Sequence, residues 1–325
     1  MHQTVLILGA RGRFGLAATK AFADAGWRVV AQIRPNAAIP VQQSQEASVS
    51  WLPIDLNDVD ALVGQAHGAQ VVVNALNPAY SIAAWRAQGL PLMEASIAVA
   101  RGLQATLMFP GNVYNFGHDM PKLLHEETPQ LADTGMGRVR VDMESRAKAS
   151  DVRAVVIRAG NFFGSGRGAE FDQVLVKDVR KGHIAYPGAA DIPSAWAYLP
   201  DLARTFVAVA ERRAALPKFE VLHFAGHCLT GQDWLNALTP LANAQPWAKA
   251  AEPLKLKQLP WLVIRLGALL VPPWAAMVSL RYLWQEGHAL DNKKLVRLID
   301  TEPHTPLHEA ATAALRELGH LDSPA

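Results

Sequence analysis

The stretch "LILGARGRFG" at residues 6–15 decides the fold, because three glycines join a short apolar run to a helical pattern. Gly9, Gly12 and Gly15 follow the spacing G-x-x-G-x-x-G. Glycines allow the backbone to approach a pyrophosphate closely, and the next helix presents its positive N-terminus to the phosphates. The stretch therefore predicts a dinucleotide-binding loop, whose cofactor contacts would be Gly9, Arg11, Gly12, Arg13, Phe14 and Gly15.

Outward from this loop, apolar runs alternate with helical patterns as far as residue 160. Such alternation is typical of βαβ units and a parallel sheet. The sequence predicts strands at 4–9, 27–34, 48–56, 70–76, 105–111, 152–160 and 218–226, and helices at 14–26, 57–68, 82–101, 137–150 and about 200–213. We therefore predict an α/β fold, a doubly wound parallel (Rossmann-type) sheet with a smaller, mainly helical C-terminal substrate lobe.

The same pattern suggests how the chain divides. The dinucleotide-binding domain is expected at residues 1–160, with a returning segment at about 195–226. Residues 161–194 and 227–325 would form the substrate lobe, which covers the carboxyl edge of the sheet where ligands of such folds bind.

Composition narrows the classes of protein. The chain has 325 residues and a formal net charge of +2, which predicts no nucleic-acid partner. Its single cysteine excludes an internal disulfide and favours a reducing, cytoplasmic setting, and no Cys/His spacing predicts a metal site. The apolar residues 259–280 contain Arg265 and the pair Pro272–Pro273, so we expect two short buried helices and no stable membrane insertion.

The end of the second predicted strand, "AQIRP", bears on which dinucleotide binds. NAD-binding sites usually have an acidic residue there for the ribose 2′-hydroxyl, and this stretch has none. Arg34 stands in that region instead, and a guanidinium suits a 2′-phosphate because it is planar and binds two oxygens. We predict NADP(H) as the preferred cofactor, with NAD(H) possible.

Further motifs resemble one superfamily in their order and spacing. They are "GARGRFG" (9–15), "IDLND" (54–58), "VVVNALNP" (71–78), "FPGNVYNFG" (109–117), "VIRAGNFFGSG" (156–166) and "HTPLHEA" (304–310). Together they resemble the extended or atypical branch of the short-chain dehydrogenase/reductase superfamily, which includes nucleotide-sugar epimerases and dehydratases. The resemblance implies a small-molecule substrate, a possible homodimer, and further cofactor contacts at Asp55, Leu56, Asn74, Ala75, Leu76, Pro110, Arg140 and Asn161.

The helix containing "GMGRVRVDME" (135–144) departs from this resemblance. The superfamily usually carries a proton-transferring Tyr here and, four residues later, a Lys that lowers the pKa of that Tyr. This chain has Met136 and Arg140 at those places. A thioether cannot transfer a proton, whereas Arg retains the positive charge. The resemblance therefore implies that the helix retains a role in cofactor binding and loses its usual role in proton transfer.

Other residues are candidates to supply the missing acid. Tyr114 follows the fifth predicted strand, near the expected position of the nicotinamide, although its position is often structural in the superfamily. Asn112 and Arg140 are donors for a substrate oxygen. Tyr80 and Tyr198 are candidate substrate contacts, and the loop residues His118 and His125 are alternative acids.

Three functions follow from these features. The first is an NADP(H)-dependent oxidoreductase that reduces a carbonyl or enone with a non-standard proton donor. The second is a dinucleotide-responsive sensor or regulatory protein without turnover, which the pair Met136 and Arg140 motivates. The third, ranked lowest, is a sugar-nucleotide epimerase or dehydratase, because those reactions depend on the missing Tyr.

Overall fold

A computed structural model describes residues 3–39, 47–247 and 252–321. The strands of this part of the chain, in chain order, are β1 (Thr4–Leu8), β2 (Arg28–Ile33), β3 (Val49–Pro53), β4 (Val71–Asn74), β5 (Thr106–Gly111), β6 (Leu123–Leu124), β7 (Ala154–Arg158), β8 (Asn161–Phe163), β9 (His183–Tyr186), β10 (Ser194–Tyr198), β11 (Phe219–His223), β12 (His227–Leu229), β13 (Lys255–Gln258) and β14 (Ala289–Leu290). Seven of them form one parallel sheet in the order β11-β7-β5-β4-β1-β2-β3. The predicted doubly wound sheet is confirmed.

The central strands are apolar throughout because both faces of the sheet are covered. Along β1, Leu6 and Leu8 point into one hydrophobic core and Val5 and Ile7 into another, and all four side chains are fully buried. Burial of each such side chain contributes roughly 1.5–3 kcal/mol relative to exposure. Continuous apolar runs therefore place these strands at the centre of the molecule.

The helices cover the two faces of the sheet and build the lobe. They are α1 (Arg13–Asp24), α2 (Val59–Gln65), α3 (Ile82–Leu103), α4 (Gly135–Ala149), α5 (Leu199–Arg212), α6 (Gly231–Asn243), α7 (Trp261–Gly267), α8 (Pro272–Ser279), α9 (Lys293–Ile299) and α10 (Leu307–Glu317). α1 and α5 pack together on one face, and α3 and α4 pack together on the other. α4 begins two residues before the predicted start, because the Thr134 hydroxyl accepts a hydrogen bond from Gly137 N at 3.1 Å and caps the helix.

Smaller sheets connect the lobe to the main sheet. A three-stranded sheet has the order β12-β10-β8, and two-stranded pairs join β13 to β9 and β14 to β6. Buried Asp201 at the start of α5 fixes the C-terminal segment, since its carboxylate accepts hydrogen bonds from Thr305 N at 2.6 Å and Thr305 Oγ1 at 2.8 Å. These contacts hold the lobe over the carboxyl ends of the strands.

The apolar segment at 259–280 corrects one sequence-based expectation. It forms two short helices, α7 and α8, as the prolines predict, but they are not buried: Leu262 is 73% exposed, Leu269 86% and Leu270 87%. The expectation was wrong because the hairpin packs one face inward, through Ile264 and Ala276, and leaves the other uncovered. Within the described residues, no helix combines the length and apolarity needed to cross a bilayer.

Candidate functional site

The glycine loop between β1 and α1 is packed too closely for side chains. Gly9 has φ +74°, and a Cβ there would lie 2.9 Å from Leu76 Cδ2. A Cβ on Gly15 would lie only 2.3 Å from the carbonyl oxygen of Gly9. The loop therefore requires glycine at both positions to bring β1, α1 and the residues after β4 together.

The N-terminus of α1 is open to a ligand. Its N-cap residue Gly12 makes no side-chain capping hydrogen bond, and the first turn of the helix contains no acidic residue. Gln32 holds the loop from behind, because its Oε1 accepts from Gly9 N at 2.9 Å and its Nε2 donates to the Ile54 carbonyl at 2.7 Å. Free N–H groups at a helix N-terminus bind phosphate, so this cradle fits a dinucleotide pyrophosphate.

Three of the four arginines predicted at the cofactor, Arg11, Arg13 and Arg34, lie in different surroundings. Arg34 follows β2 and is exposed, as is Arg11 in the loop. Arg13 turns toward the lobe, where its Nη2 donates to the Gly164 carbonyl at 3.0 Å and burial lowers its pKa. Arg34 and Arg11 are therefore free to meet a phosphate, whereas the Arg13 guanidinium joins the phosphate loop to the segment after β8.

The remaining predicted cofactor contacts line the carboxyl edge of the sheet. Asp55 and Leu56 follow β3, and the exposed Asp55 carboxylate accepts hydrogen bonds from Asn57 N and Nδ2 at 2.9 and 2.8 Å. Asn74 is buried at the end of β4, where its Oδ1 accepts from Leu76 N at 3.0 Å, and Ala75 N donates to the Leu8 carbonyl at 3.0 Å. The contact with Leu8 places the segment after β4 beside the glycine loop, and the Asp55 contacts shape the turn after β3.

Helix α4 holds a core residue and a cation where the superfamily usually has Tyr and Lys. Met136 is fully buried in the core formed by α3 and α4. Arg140 donates to the Pro110 carbonyl at 3.3 Å and lies over the ring of Trp85, with its Cζ 4.7 Å from the ring centroid. Its Nε is buried and has no hydrogen-bond partner within the described residues. Burial lowers the pKa of Arg140 to about 10, so the guanidinium remains charged at neutral pH.

Tyr114 lies beside this cation, on the loop that follows β5. Its ring centroid is 6.2 Å from that of Trp85, the same ring that Arg140 covers. Burial raises the pKa of Tyr114, the charge of Glu170 acts in the same direction, and Arg140 acts in the opposite one. The loop is fixed by Asn112, whose Oδ1 accepts from Tyr114 N at 3.0 Å, so only the Nδ2 of Asn112 is left as a donor for a ligand.

A narrow pocket opens beside Tyr114 and is lined mostly by the lobe. Its apolar lining consists mostly of large side chains, and its polar groups come from two tyrosines, an asparagine and a glutamate. The lining residues are Tyr80, Tyr114, Asn161, Glu170, Val174, Pro187, Trp261, Met277, Leu280, Leu283 and Trp284. Tyr114, Tyr80 and Asn161 are thus brought together as predicted site residues. Tyr198 does not line this pocket, since its ring packs 5.2 Å from that of Phe163.

Glu170 is a site residue that the sequence reasoning missed. Tyr80 hydrogen-bonds to its carboxylate, and burial raises the pKa of both side chains. The positive charge of Arg13 lowers the pKa of Glu170, so a residue of the glycine loop acts electrostatically on a residue of the pocket. The only sequence signal was its place in "GRGAEFD", a stretch that follows several glycines and has no helix or strand periodicity.

A buried ion pair between β7 and α4 stabilises the helix that carries Arg140. The Arg158 guanidinium donates to both carboxylate oxygens of Glu144, at 3.1 and 2.7 Å, and both side chains are almost fully buried. His223 lies 3.3 Å from Arg158 Nη1, and burial lowers its pKa to about 3. This cluster fixes α4 against β7 and so fixes the position of Arg140.

Comparisons with known proteins agree with this architecture. The Bordetella bronchiseptica enzyme WbmH in complex with NAD+ superposes with a TM-score of 0.76 at 14% identity, covering 98% of this chain and 99% of that one. UDP-glucuronic acid 4-epimerase from Bacillus cereus, in complex with UDP-glucuronic acid and NAD, gives 0.71 at 13% identity over the same shares. UDP-glucose 4-epimerase from Thermotoga maritima, with UDP-glucose, gives 0.69 at 14% identity, again over 98% and 99%.

The chain therefore has the same Rossmann-type α/β fold as these structures, with a seven-stranded parallel sheet. The resemblance drawn from the sequence motifs is confirmed at the level of the fold. In addition, residues 1–105 match the sequence profile of the NmrA-like family. No curated protein sequence matches the chain significantly.

Proposed function

We propose that the protein is an NADP(H)-dependent oxidoreductase that reduces an apolar carbonyl or enone, with Tyr114 as its proton donor. The observation that carries the proposal is the position of Tyr114: it lines the pocket and lies on the same Trp85 ring as the buried cation Arg140. The superfamily usually carries a phenol and a cation together on the helix equivalent to α4. In this chain the phenol would come from Tyr114 on the loop after β5, and the cation from Arg140 on α4.

The cofactor would be held by the glycine loop, the N-terminus of α1 and the edge residues Asp55, Asn74 and Asn161. The exposed Arg34, with no acidic residue in "AQIRP", supports NADP(H) over NAD(H). When bound, NADPH would supply a hydride to the carbonyl carbon, or to the β-carbon of an enone. The unpartnered Nε of Arg140 is a donor suited to a cofactor hydroxyl group.

Tyr114 donates its phenolic proton to the substrate oxygen as negative charge develops there. Because its pKa is raised, it is a neutral hydrogen-bond donor at neutral pH and transfers the proton only when the oxygen has become strongly basic. Arg140 stabilises the phenolate that remains, and the Nδ2 of Asn112 is a second donor for the oxygen. The proton is restored from solvent after the product leaves.

The pocket lining favours an apolar substrate. Trp261, Trp284 and Met277 form its wall, and the lining includes Glu170 but no lysine or arginine among the described residues. The described lining thus offers no cation to a diphosphate, so UDP-sugars, which the structural neighbours bind, suit it poorly. We expect action on small molecules in the cytoplasm. A homodimer, whose helical interface would include α4, remains a prediction.

Turnover of NADPH with a panel of apolar ketones, aldehydes and enones tests the proposal. Tyr114→Phe should lower kcat by about 10²–10⁴-fold while the Kd for NADPH stays unchanged, because one proton donor is lost and the cofactor loop is not touched. Tyr198→Phe is the matched control and should remain active, since Tyr198 lies outside the pocket. Full activity of Tyr114→Phe would reject Tyr114 as the donor.

The second candidate is a dinucleotide-responsive regulatory protein without turnover. The full burial of Met136 at the usual place of the proton donor favours it. Tight NADPH binding by the wild-type chain, combined with no oxidation of NADPH across the whole panel, would support this candidate over the reductase.

A further inference from the structure

The outer surface of the apolar hairpin, which we define as residues 261–279, is unusually rich in exposed hydrophobic side chains. Six of the nine large hydrophobic residues that are exposed in the described part of the chain lie within ten positions. They are Leu262, Val263, Leu266, Leu269, Leu270 and Val271. A cluster of this kind marks an interaction surface, whereas single exposed hydrophobics need no explanation.

The apolar hairpin is held in place, so its leucines are presented on a fixed support. Trp274 packs directly on α7, where a Cβ on Gly267 would lie 2.3 Å from its ring. Trp261 Nε1 donates to the Pro187 carbonyl at 2.8 Å, and Arg281 Cζ lies 4.7 Å from the centroid of the Trp261 ring. The inner face of the apolar hairpin thus packs against the rest of the lobe, and its outer face has no partner within the described residues.

The charged residues of the chain segment that contains the apolar hairpin have a single sign. Between Pro253 and Gln285 the sequence contains four cationic residues and no acidic one, although the whole chain carries a net charge of only +2. Lys255 and Lys257 are exposed on β13, directly before α7, and Arg265 is exposed on α7 beside the leucines. An apolar surface flanked by cations complements the anionic headgroups and acyl region of a bilayer surface.

We propose that the apolar hairpin docks this protein on the anionic surface of a lipid bilayer. The leucines enter the boundary between headgroups and acyl chains, and Lys255, Lys257 and Arg265 contact lipid phosphates. α7 and α8 have seven and eight residues, which are about 11 and 12 Å long, so they lie at the interface and do not span it. Docking does not depend on the reaction proposed above.

A second copy of the chain is the alternative occupant, and the charge argues against it. In a two-fold symmetric dimer this surface would face itself, and the cations of one copy would lie opposite those of the other. The position of the pocket agrees with a bilayer as well. Trp261 and Met277 belong to the apolar hairpin and also line the pocket, so docking would bring the pocket close to apolar compounds dissolved in the bilayer.

Co-sedimentation of the full chain with vesicles tests the proposal. The wild-type protein should sediment with vesicles of equal parts phosphatidylglycerol and phosphatidylcholine, and less with phosphatidylcholine alone. Leu269→Glu/Leu270→Glu should reduce the vesicle-bound to free ratio at least about tenfold, and Arg265→Gln about fivefold, with the anionic vesicles. Leu131→Glu is the matched control, because Leu131 is 69% exposed but lies outside the apolar hairpin, and it should bind like the wild type.

Thermal unfolding of each variant by circular dichroism shows that the fold is retained, as expected for exposed positions. The proposal is overturned if the wild-type chain does not sediment with anionic vesicles at low salt, or if Leu269→Glu/Leu270→Glu binds them as well as Leu131→Glu does. It is also overturned if sedimentation velocity shows a dimer that this double variant abolishes while vesicle binding is absent. NADPH turnover is measured separately, so loss of docking is distinguishable from loss of activity.

Discussion

Replacement of Arg34 by Glu tests which dinucleotide the site prefers. Arg34 is exposed at the carboxyl end of β2, and Ala37 N donates to its carbonyl at 2.9 Å, so the backbone turn does not depend on its side chain. The substitution therefore changes the charge that we propose faces the ribose 2′-position, without disturbing the glycine loop or its support by Gln32.

The expected effect follows from the lost hydrogen bonds and the added repulsion. A hydrogen bond to a charged group is worth about 1.5–3 kcal/mol, and the exposure of Arg34 argues for the lower part of this range. The Kd for NADPH should rise about 10- to 100-fold. The Kd for NADH should stay within about threefold, because a carboxylate accepts a hydrogen bond from a 2′-hydroxyl.

Fluorescence titration of both cofactors at low salt is the assay. Arg28→Glu is the matched control, since it makes the same charge change at the opposite end of β2, about 20 Å away, and should affect NADPH only slightly. Equal weakening of NADPH and NADH by Arg34→Glu would refute the assignment of Arg34 to the 2′-phosphate. An equal loss of NADPH affinity in Arg28→Glu would attribute the effect to the general field of the protein.

Three further predictions concern the loop, the buried ion pair and a buried histidine. Gly15→Ala should weaken NADPH and NADH alike, at least about tenfold by the same titration, because its Cβ would lie 2.3 Å from the Gly9 carbonyl oxygen, whereas Gly64→Ala, with open space around it, should bind both normally. Arg158→Met should lower the free energy of unfolding in urea by about 3–5 kcal/mol, because it leaves Glu144 buried without its cation; a loss under about 1 kcal/mol would contradict this. Burial lowers the pKa of His227 to about 4, below its unfolded value of about 6.5, so its contribution to stability is present above about pH 6.5 and is lost as the pH falls toward 4. Between about pH 7 and about pH 5 the loss should be about 1–2 kcal/mol, and His227→Gln should make the pH dependence of urea unfolding shallower by that amount; an unchanged slope would exclude this role.

Several features of the protein could be read from the sequence because they depend on local patterns. Continuous apolar runs identified the strands of the main sheet, since a parallel strand is buried on both faces. The spacing of Gly9, Gly12 and Gly15 identified the loop, and close packing excludes a Cβ at Gly9 and Gly15. Helix bounds were less accurate: α4 begins at Gly135 because of the Thr134 cap, a contact that helical periodicity does not reveal.

The sequence by itself determined the sheet, the glycine loop, the absence of an acid after β2 and the loss of the usual Tyr at position 136. Only the tertiary structure decided which polar groups share the pocket. Glu170 meets Tyr80, and Tyr114 and Arg140 meet at Trp85, through contacts between residues far apart in the chain. The exposure of the leucines in residues 261–279 was also decided by the tertiary structure, because an apolar sequence does not reveal which of its faces the rest of the chain covers.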